Sequence, residues 1–421
     1  MTEITPRQWP TRRLKFAATI NNEALSEDTD PDFELQYVDI GNVDSAGVIH
    51  EIASYRFKDA PSRARRKVQH GDVIISTVRT YLQAIAPVES PPDNLIVSTG
   101  FAVVRPRVDT LDTRFCKFAL REPAFLSEVV RCSVGVSYPA INASELGNIL
   151  VYVPPLTQQN AIAGFLDRET AKIDALIAAK EQLLGILAEK RRALITHTAT
   201  RGLNPDAPFR DSGIPWLGKI PAHWETCRLA WLFKDRDERY EPELPLLEVS
   251  INAGVVLREF SDDRIESTAA DFNTYKVARK GDVVFNKMRM WQGAVGIAPE
   301  DGLVSPDYTV AASVGDLSPG YAGLLFRTEM FSAECARNSH GIVWDRLRLY
   351  WEGFRDIVVP VPPSAEQLAI VAHIRRETAK LDALREATGK TISLLKERRA
   401  ALITAAVTGK IEVREVSTVS I

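Results

Sequence analysis

The sequence predicts an α+β protein: two mixed α/β globular modules in tandem repeat, joined by two long helices packed on each other. Three observations lead there. Residues 153–203 align without gaps on 361–411, an offset of 208, and 23 of the 51 positions are identical. Each copy carries the pattern of one long helix. The stretch before each copy is diverged, short in period and β-rich.

The modules come first in each half. Val73-Ile74-Ile75, Ile96-Val97, Ala102-Val103-Val104 and Ile149 to Val153 are strand candidates in one half, and Val283-Val284-Phe285 and Ile357-Val358-Val359 in the other. Gly71-Asp72 and Gly281-Asp282 are turn dipeptides ahead of matching strands. Helical stretches are expected from Thr113 to Glu128 and from Gly320 to Arg337. Weaker echoes extend the repeat upstream, with Trp9 to Leu14 against Trp224 to Leu229 and Val97-Ser98 against Val304-Ser305.

The helices follow. Val153-Pro154-Pro155 and Val361-Pro362-Pro363 hold the preceding chain extended and end any strand. Ser364 with Gln367 has capping-box spacing, and Thr157 is a weaker N-cap. Leu166, Ile173, Leu187 and Leu194 lie on one seven-residue line, as do Ile374, Leu381, Leu395 and Leu402. Lys180 and Thr388 interrupt the two lines at the same place. Each helix is expected to run about 40 residues, ~60 Å at 1.5 Å per residue. Packing the two apolar stripes on each other is the simplest burial, which makes the helices a spacer. Their charged faces, Glu181 and Glu189 to Arg192 and Lys396 to Arg399, are solvated or dock partners. The expected boundaries are 1–152, 153–202, 203–360 with a linker at 203–222, 361–411, and a tail at 412–421.

Composition excludes several classes. The chain has 421 residues, 45% hydrophobic and 25% charged, with a net charge of −3. That is too apolar and too weakly charged for disorder. Cys116, Cys132, Cys227 and Cys335 are far apart, which fits neither a disulfide framework nor a zinc finger and suits a reducing cytoplasm. The N-terminus reads as no signal peptide, and no run approaches the ~18 apolar residues of a membrane span. Six histidines show no ligand spacing.

Catalytic motifs are scarce. Thr388-Gly389-Lys390-Thr391 resembles the tail of a phosphate loop, but Leu384 stands where the first glycine belongs. Asn204 to Phe209 only faintly resembles the Asn/Asp-Pro-Pro-Tyr/Phe motif of amino-methyltransferases, and His50-Glu51 lacks the second histidine of a zinc protease. The chain reads as a recognition scaffold with no metal site or cofactor of its own.

Basic, amide and aromatic residues gather at matching places. Arg63, Arg65, Arg66 and Lys67 precede the first Gly-Asp turn. After the following strand come Arg79, Tyr81 and Gln83, and in the second half Lys287, Arg289, Trp291 and Gln292. Arginine and lysine reach guanine O6/N7, and glutamine pairs with adenine. The first four are candidate phosphate holders. Ordinary loop charge is an even alternative for any single residue, and recurrence in both halves raises the odds. Tyr138, Tyr308 and Trp344 read as core or half-buried aromatics.

Together these features resemble the DNA specificity subunit of type I restriction–modification enzymes. Ile214-Pro215-Trp216-Leu217-Gly218-Lys219-Ile220-Pro221-Ala222-His223-Trp224, the Gly-Asp strands, the Val-Pro-Pro boundaries and the helix ends Lys190 to Ile195 and Glu397 to Ile403 carry the resemblance over nearly the whole chain. The first half departs from it by starting at Trp9 without that lead-in. The resemblance implies two target recognition domains, each reading one half of a bipartite, asymmetric DNA site. The helices would pack as an antiparallel coiled coil and act as a ruler, long enough to hold readers a DNA turn (~34 Å) or more apart. Two modification (adenine methyltransferase) subunits would bind, and restriction (translocase/nuclease) subunits could join them. S-adenosylmethionine, ATP and magnesium would belong to those partners. The alternatives are a non-catalytic coiled-coil adaptor with protein-binding modules and, less favoured, a single-chain DNA-modifying enzyme.

Overall fold

The strand that follows each Gly-Asp turn is central to a four-stranded antiparallel sheet. In this computed structural model, which describes residues 9–44, 47–135, 139–239, 241, 243–258, 272–341 and 347–413, the chain forms two compact units. Unit 1 is residues 1–181 with 390–421, and unit 2 is residues 182–389.

In unit 1 the sheet order is Ala18–Ile20, Phe101–Pro106, Val73–Ser76, Ile85–Pro87. Its strands alternate between two buried faces, as residues of a covered sheet must. Val73 and Ile75 face a core shared with Leu14, Phe115, Ile162, Leu166 and Ile403. Ile74 faces a second core with Val38, Val97 and Val103. That second core lies under a mixed sheet in the order Ala53–Arg56, Glu34–Val38, Leu95–Ser98, Ala64–Lys67. The helices are α1 (Leu14–Ala17), α2 (Thr113–Ala119), α3 (Pro123–Arg131) and α4 (Ala143–Asn148), followed by the long α5 (Leu156–Arg201). The expected single helix from Thr113 is broken between α2 and α3. Glu122 caps the new N-terminus by accepting from Phe125 N, and Pro123 sits in its first turn.

Unit 2 repeats the plan. Its sheet order is Phe233–Asp235, Tyr308–Ser313, Val283–Asn286, Val295–Ile297. Val283 and Phe285 face the core of Phe233, Phe326, Phe331 and Phe354, while Val284 faces the smaller core of Leu247 and Val310. The helices are α6 (Leu229–Leu232), α7 (Pro319–Leu325), α8 (Glu329–Arg337) and α9 (Trp351–Arg355), then the long α10 (Ser364–Val407). The α7–α8 break again has a capping residue, Thr328, accepting from Phe331 N. In place of unit 1's second four-stranded sheet stand two separate two-stranded ladders. Residues 203–222, expected as a linker, contain a hairpin of Phe209–Asp211 with Lys219–Pro221, and Leu217 and Ile220 are buried in the unit's core. The apolar lead-in to Trp224 therefore packs as structure.

Both long helices are unbroken, with 46 residues in α5 and 44 in α10. Within unit 1 they run antiparallel: Asp174 meets Arg399 and Glu181 meets Lys396. Within unit 2, Arg191 meets Asp382. The seam residues Leu166, Ile173, Leu187 and Ile374 are buried, Leu194, Leu381, Leu395 and Leu402 are half-buried, and Thr388 is buried with its hydroxyl donating to Leu384 O at 2.8 Å. That bond supplies the polar seam position with the partner it needs.

A glutamine ties each long helix to its module. Gln159 is fully buried; its amide donates to Thr110 O and Pro154 O and its oxygen accepts from Asp112 N. Gln367, 208 positions on, does the same with Asp316 O, Pro362 O and Ser318 N. Gln367 is thus spent on this tie, in place of the capping box with Ser364 that its spacing suggests.

Candidate nucleic-acid interface

Each Gly-Asp aspartate anchors the frame of the candidate site. Asp72 is fully buried and takes a two-pronged bond from Arg105, at 2.8 and 3.0 Å. Arg105 also pairs with Glu23. In unit 2, Asp282 takes the bond from Arg236, at 2.7 Å through Nε, and Arg236 pairs with Glu238. Glu23 and Glu238 each follow their edge strand by three residues. The arginine comes from the strand Phe101–Pro106 in one unit and from just past Phe233–Asp235 in the other. One charge arrangement is therefore kept while its cation changes strand. Bonds from Asp72 and Glu23 hold the Arg105 guanidinium well above its ordinary pKa.

On this frame sits a turn in each unit. In unit 1 it follows Val73–Ser76 and contains the short helix Thr80–Leu82. Thr80 is buried and shares a 2.9 Å bond with Ser133, Thr77 bonds Gly100 O, and Arg79 N donates to Pro139 O. The fixed turn exposes Arg79, Tyr81 and Gln83. Arg79 and Gln83 both hold left-handed backbone, with φ of 53° and 52°.

In unit 2 the turn contains Met290–Gln292, with Met290 buried. Arg289 and Gln292 are exposed and Trp291 is half-buried, its Nε1 donating to Met288 O at 2.9 Å. Lys287 is half-buried and donates to Pro306 O at 3.2 Å; burial, then repulsion from Lys276, lowers its pKa. Position by position, Arg79 matches Arg289 and Tyr81 matches Trp291. Gln83 matches Gly293, whose φ is 84°, and not Gln292.

The basic run behaves differently. Strand alternation and a bulge between Ala64 and Arg66 split its four side chains. Arg63 and Lys67 are exposed. Arg65 is half-buried over the Phe57 ring, 4.7 Å from its centroid. Arg66 is half-buried, with a lowered pKa caused by burial and a buried Nε that lacks a hydrogen bond. Sequence proximity alone does not make these four one phosphate-holding patch. Tyr308 is half-buried, while Tyr138 and Trp344 lie outside the described residues.

A second pair of sites went unread in the sequence. Arg121, between α2 and α3, and Arg327, between α7 and α8, occupy equivalent positions 206 residues apart. Arg121 lines a cleft with Arg399 of α10, and Arg327 lines one with Arg191 of α5. Extending the repeat across Arg121, Phe125, Glu128 and Arg131 against Arg327, Phe331, Glu334 and Arg337 would have exposed the match.

Among the described residues, no group of three or more histidine, cysteine or acidic side chains could hold a metal ion. Cys116, Cys132, Cys227 and Cys335 are free. No described helix is long and apolar enough to cross a membrane.

No family model matches the chain. Curated proteins do. It is 21% identical over 237 residues to the MjaX type I restriction enzyme specificity subunit named in Methanocaldococcus jannaschii, covering 53% of this chain and 52% of that protein. It is 23% identical over 323 residues to the EcoBI specificity subunit of Escherichia coli, covering 72% and 66%. The EcoDI subunit of the same organism is 21% identical over 332 residues, covering 72% and 70%. The matched region thus spans about half of the first relative and about two thirds of the second. Two solved structures share the fold. One, from work on assembly and conformational transition of the type I R-M system, has a TM-score of 0.69 at 24% identity, covering 96% of this chain and 99% of that one. The HsdS subunit of Thermoanaerobacter tengcongensis has a TM-score of 0.53 at 22% identity, covering 98% and 100%. Sequence relatives and fold agree with the duplicated plan, and the chain is similar to specificity subunits of type I restriction enzymes.

Proposed function

We propose that this chain reads a bipartite, asymmetric DNA sequence, one half-site per unit, and directs partner adenine methyltransferase and restriction subunits to it. It performs no catalysis itself; S-adenosylmethionine, ATP and magnesium act on the partners. One observation carries this reading. The two units keep the same sheet order and the same buried aspartate frame, yet present different side chains from the turn built on it. Arg79, Tyr81 and Gln83 stand against Arg289, Trp291 and Gly293. Equivalent frames with different faces suit the recognition of two different short sequences.

In this reading Arg79, Tyr81, Gln83, Arg289, Trp291 and Gln292 approach base edges, with Lys287 behind them. Arg63 and Lys67 hold phosphates, aided by Arg65 and Arg66. A net charge of −3 does not oppose it, since partner subunits can supply phosphate contacts. The test is co-expression with a type I modification subunit in a methylation-free host, then sequencing that detects N6-methyladenine. A split motif with a fixed gap is expected. A contiguous motif, or no methylation from an assembled and competent complex, would favour the adaptor instead.

A further inference from the structure

We propose that the two equivalent clefts each receive an acidic, amphipathic segment of a partner protein, with a carboxylate seated on Arg121 and Arg399 in unit 1 and on Arg327 and Arg191 in unit 2. This rests on the reading above that the chain assembles with other subunits, and it names the surface and chemistry of one contact.

The clefts are matched in position and in their arginine pair. The first, about 1110 Å³, lies among the turn after Val73–Ser76, α3 and the paired long helices. The second, about 890 Å³, lies in unit 2 among the Met290–Gln292 turn, α7, α8 and α5. Leu126, Val130 and Ile403 give the first an apolar surface, as Ile195, Leu324 and Ala336 do in the second.

The arginines are built in. Gly47, at a φ of 85°, leaves the space that the Arg121 guanidinium fills; a Cβ there would overlap Nη2. Arg121 donates to Ile85 O, but its buried Nε has no hydrogen-bond partner. Burial first, then repulsion from Arg399, pushes its pKa down to about 10, with Asp174 and Asp44 acting in the opposite sense. Arg327 is an exposed residue whose guanidinium bonds Ile251 O at 3.1 Å. Crowding by protein, then Arg191, lowers its pKa as well. The Arg191 Nε is buried and faces Asp382 Oδ1 at 3.4 Å without a hydrogen bond. An incoming carboxylate would relieve the like-charge crowding in each cleft and give the unpartnered Arg121 Nε an acceptor.

Charge and surface decide the occupant. Arg191, Arg192, Arg327 and Arg337 line the second cleft against a single acid, Glu329, while Arg121, Arg131, Lys396 and Arg399 line the first against Asp44, Asp174 and Glu181, so both carry a net positive charge. That calls for an anion. A sugar–phosphate backbone has no apolar side to cover Leu126, Val130 and Ile403, whereas an amphipathic acidic segment supplies both surfaces. The recurrence also matters. The turns differ between units and the arginine pairs do not, so the occupant is common to both units and not tied to one half-site.

The experiment uses the full chain with the modification subunit. Ser127 and Ala333 are exposed on α3 and α8 and line the two clefts without making either arginine pair. Ser127→Glu and Ala333→Glu place a rival carboxylate beside each pair. Ala333→Gln matches the second in size without the charge. Assembly should weaken about 30-fold or more in the double glutamate variant, a loss of the size seen when a buried charge pair is disrupted. Ala333→Gln should assemble and bind DNA as wild type. A photo-crosslinker at Ala336 should label a partner peptide rich in aspartate or glutamate. Wild-type assembly by thermally stable glutamate variants would overturn the proposal, as would equal loss in Ala333→Gln or loss of DNA binding alone. The motif methylated by residual complex reports on the reader and its occupancy on the cleft, so the two readings fail separately.

Discussion

Arg399 donates through Nε to Asp174 at 2.9 Å, joining α10 to α5 inside unit 1. Shift both residues by one repeat and the same pair recurs in unit 2, where Arg191 faces Asp382 at 3.4 Å. One duplicated sequence thus supplies both partners of both contacts, each helix giving an aspartate to one and an arginine to the other. The helical copies share 23 identities in 51 positions, while the modules differ more.

The buried glutamines should be costly to lose. Gln367→Leu leaves Ser318 N, Asp316 O and Pro362 O without their partner. The expected loss is about 2–4 kcal/mol in denaturant unfolding, because buried groups would be left unsatisfied. A loss under about 0.5 kcal/mol would show that water replaces the amide.

Breaking the aspartate frame should cost about as much. Asp72→Asn leaves the Arg105 guanidinium, only 19% exposed, without its buried carboxylate. About 3–5 kcal/mol is expected, the usual range for one missing partner of a buried pair. An equal midpoint in urea for wild type and variant would contradict the frame's role.

The outer carboxylate predicts a pH dependence of smaller size. A hydrogen bond and the charge of Arg105 hold Glu23 below its ordinary value of 4.5. Its folded pKa is below its unfolded one, so its stabilisation is present above about pH 4.5 and is lost as pH falls through the folded value. Glu23 is half exposed, which limits the contribution to roughly 0.2–1 kcal/mol. Glu23→Gln should therefore lie slightly below wild type at pH 7 and converge with it in acid. A gap that widens in acid would rule this out.

Gln83 holds a backbone conformation that its counterpart gives to glycine. Gln83→Gly should stabilise the protein by about 0.5–1 kcal/mol, since glycine adopts positive φ without steric penalty. If Gln83 touches a base, the same variant should relax one position of one half-site. Unchanged methylation specificity would confine Gln83 to the turn.

Arg289→Ala separates base reading from phosphate holding. A base contact should relax one position by about 1–3 kcal/mol. Equal weakening on every sequence would make it a phosphate contact. Lys67→Ala should weaken binding uniformly and reduce the salt slope by about one.

Much of this was legible in the residues. The helices, their seam and the central strands follow from period and from the Val-Pro-Pro boundaries. What escaped needed three-dimensional pairing. Four basic residues within five positions look like a patch until a bulge and strand alternation divide them. Gln83 and Gln292 look equivalent until the left-handed position falls on Gln83 and Gly293. The break before Pro123 was hidden by continuous helical composition, and residues 203–222 looked like linker because proline and glycine mask a hairpin anchored by Leu217 and Ile220. Arg121 and Arg399 lie 278 residues apart in the chain, so only folding reveals their shared cleft.

The most direct test is an exchange of residues 1–152 for those of another type I specificity subunit, with the rest of the chain and the modification subunit kept. Mapping N6-methyladenine before and after should show one half of a split motif replaced and the other half and the gap unchanged. Alteration of both halves, or a contiguous motif in either protein, would contradict one reader in each unit.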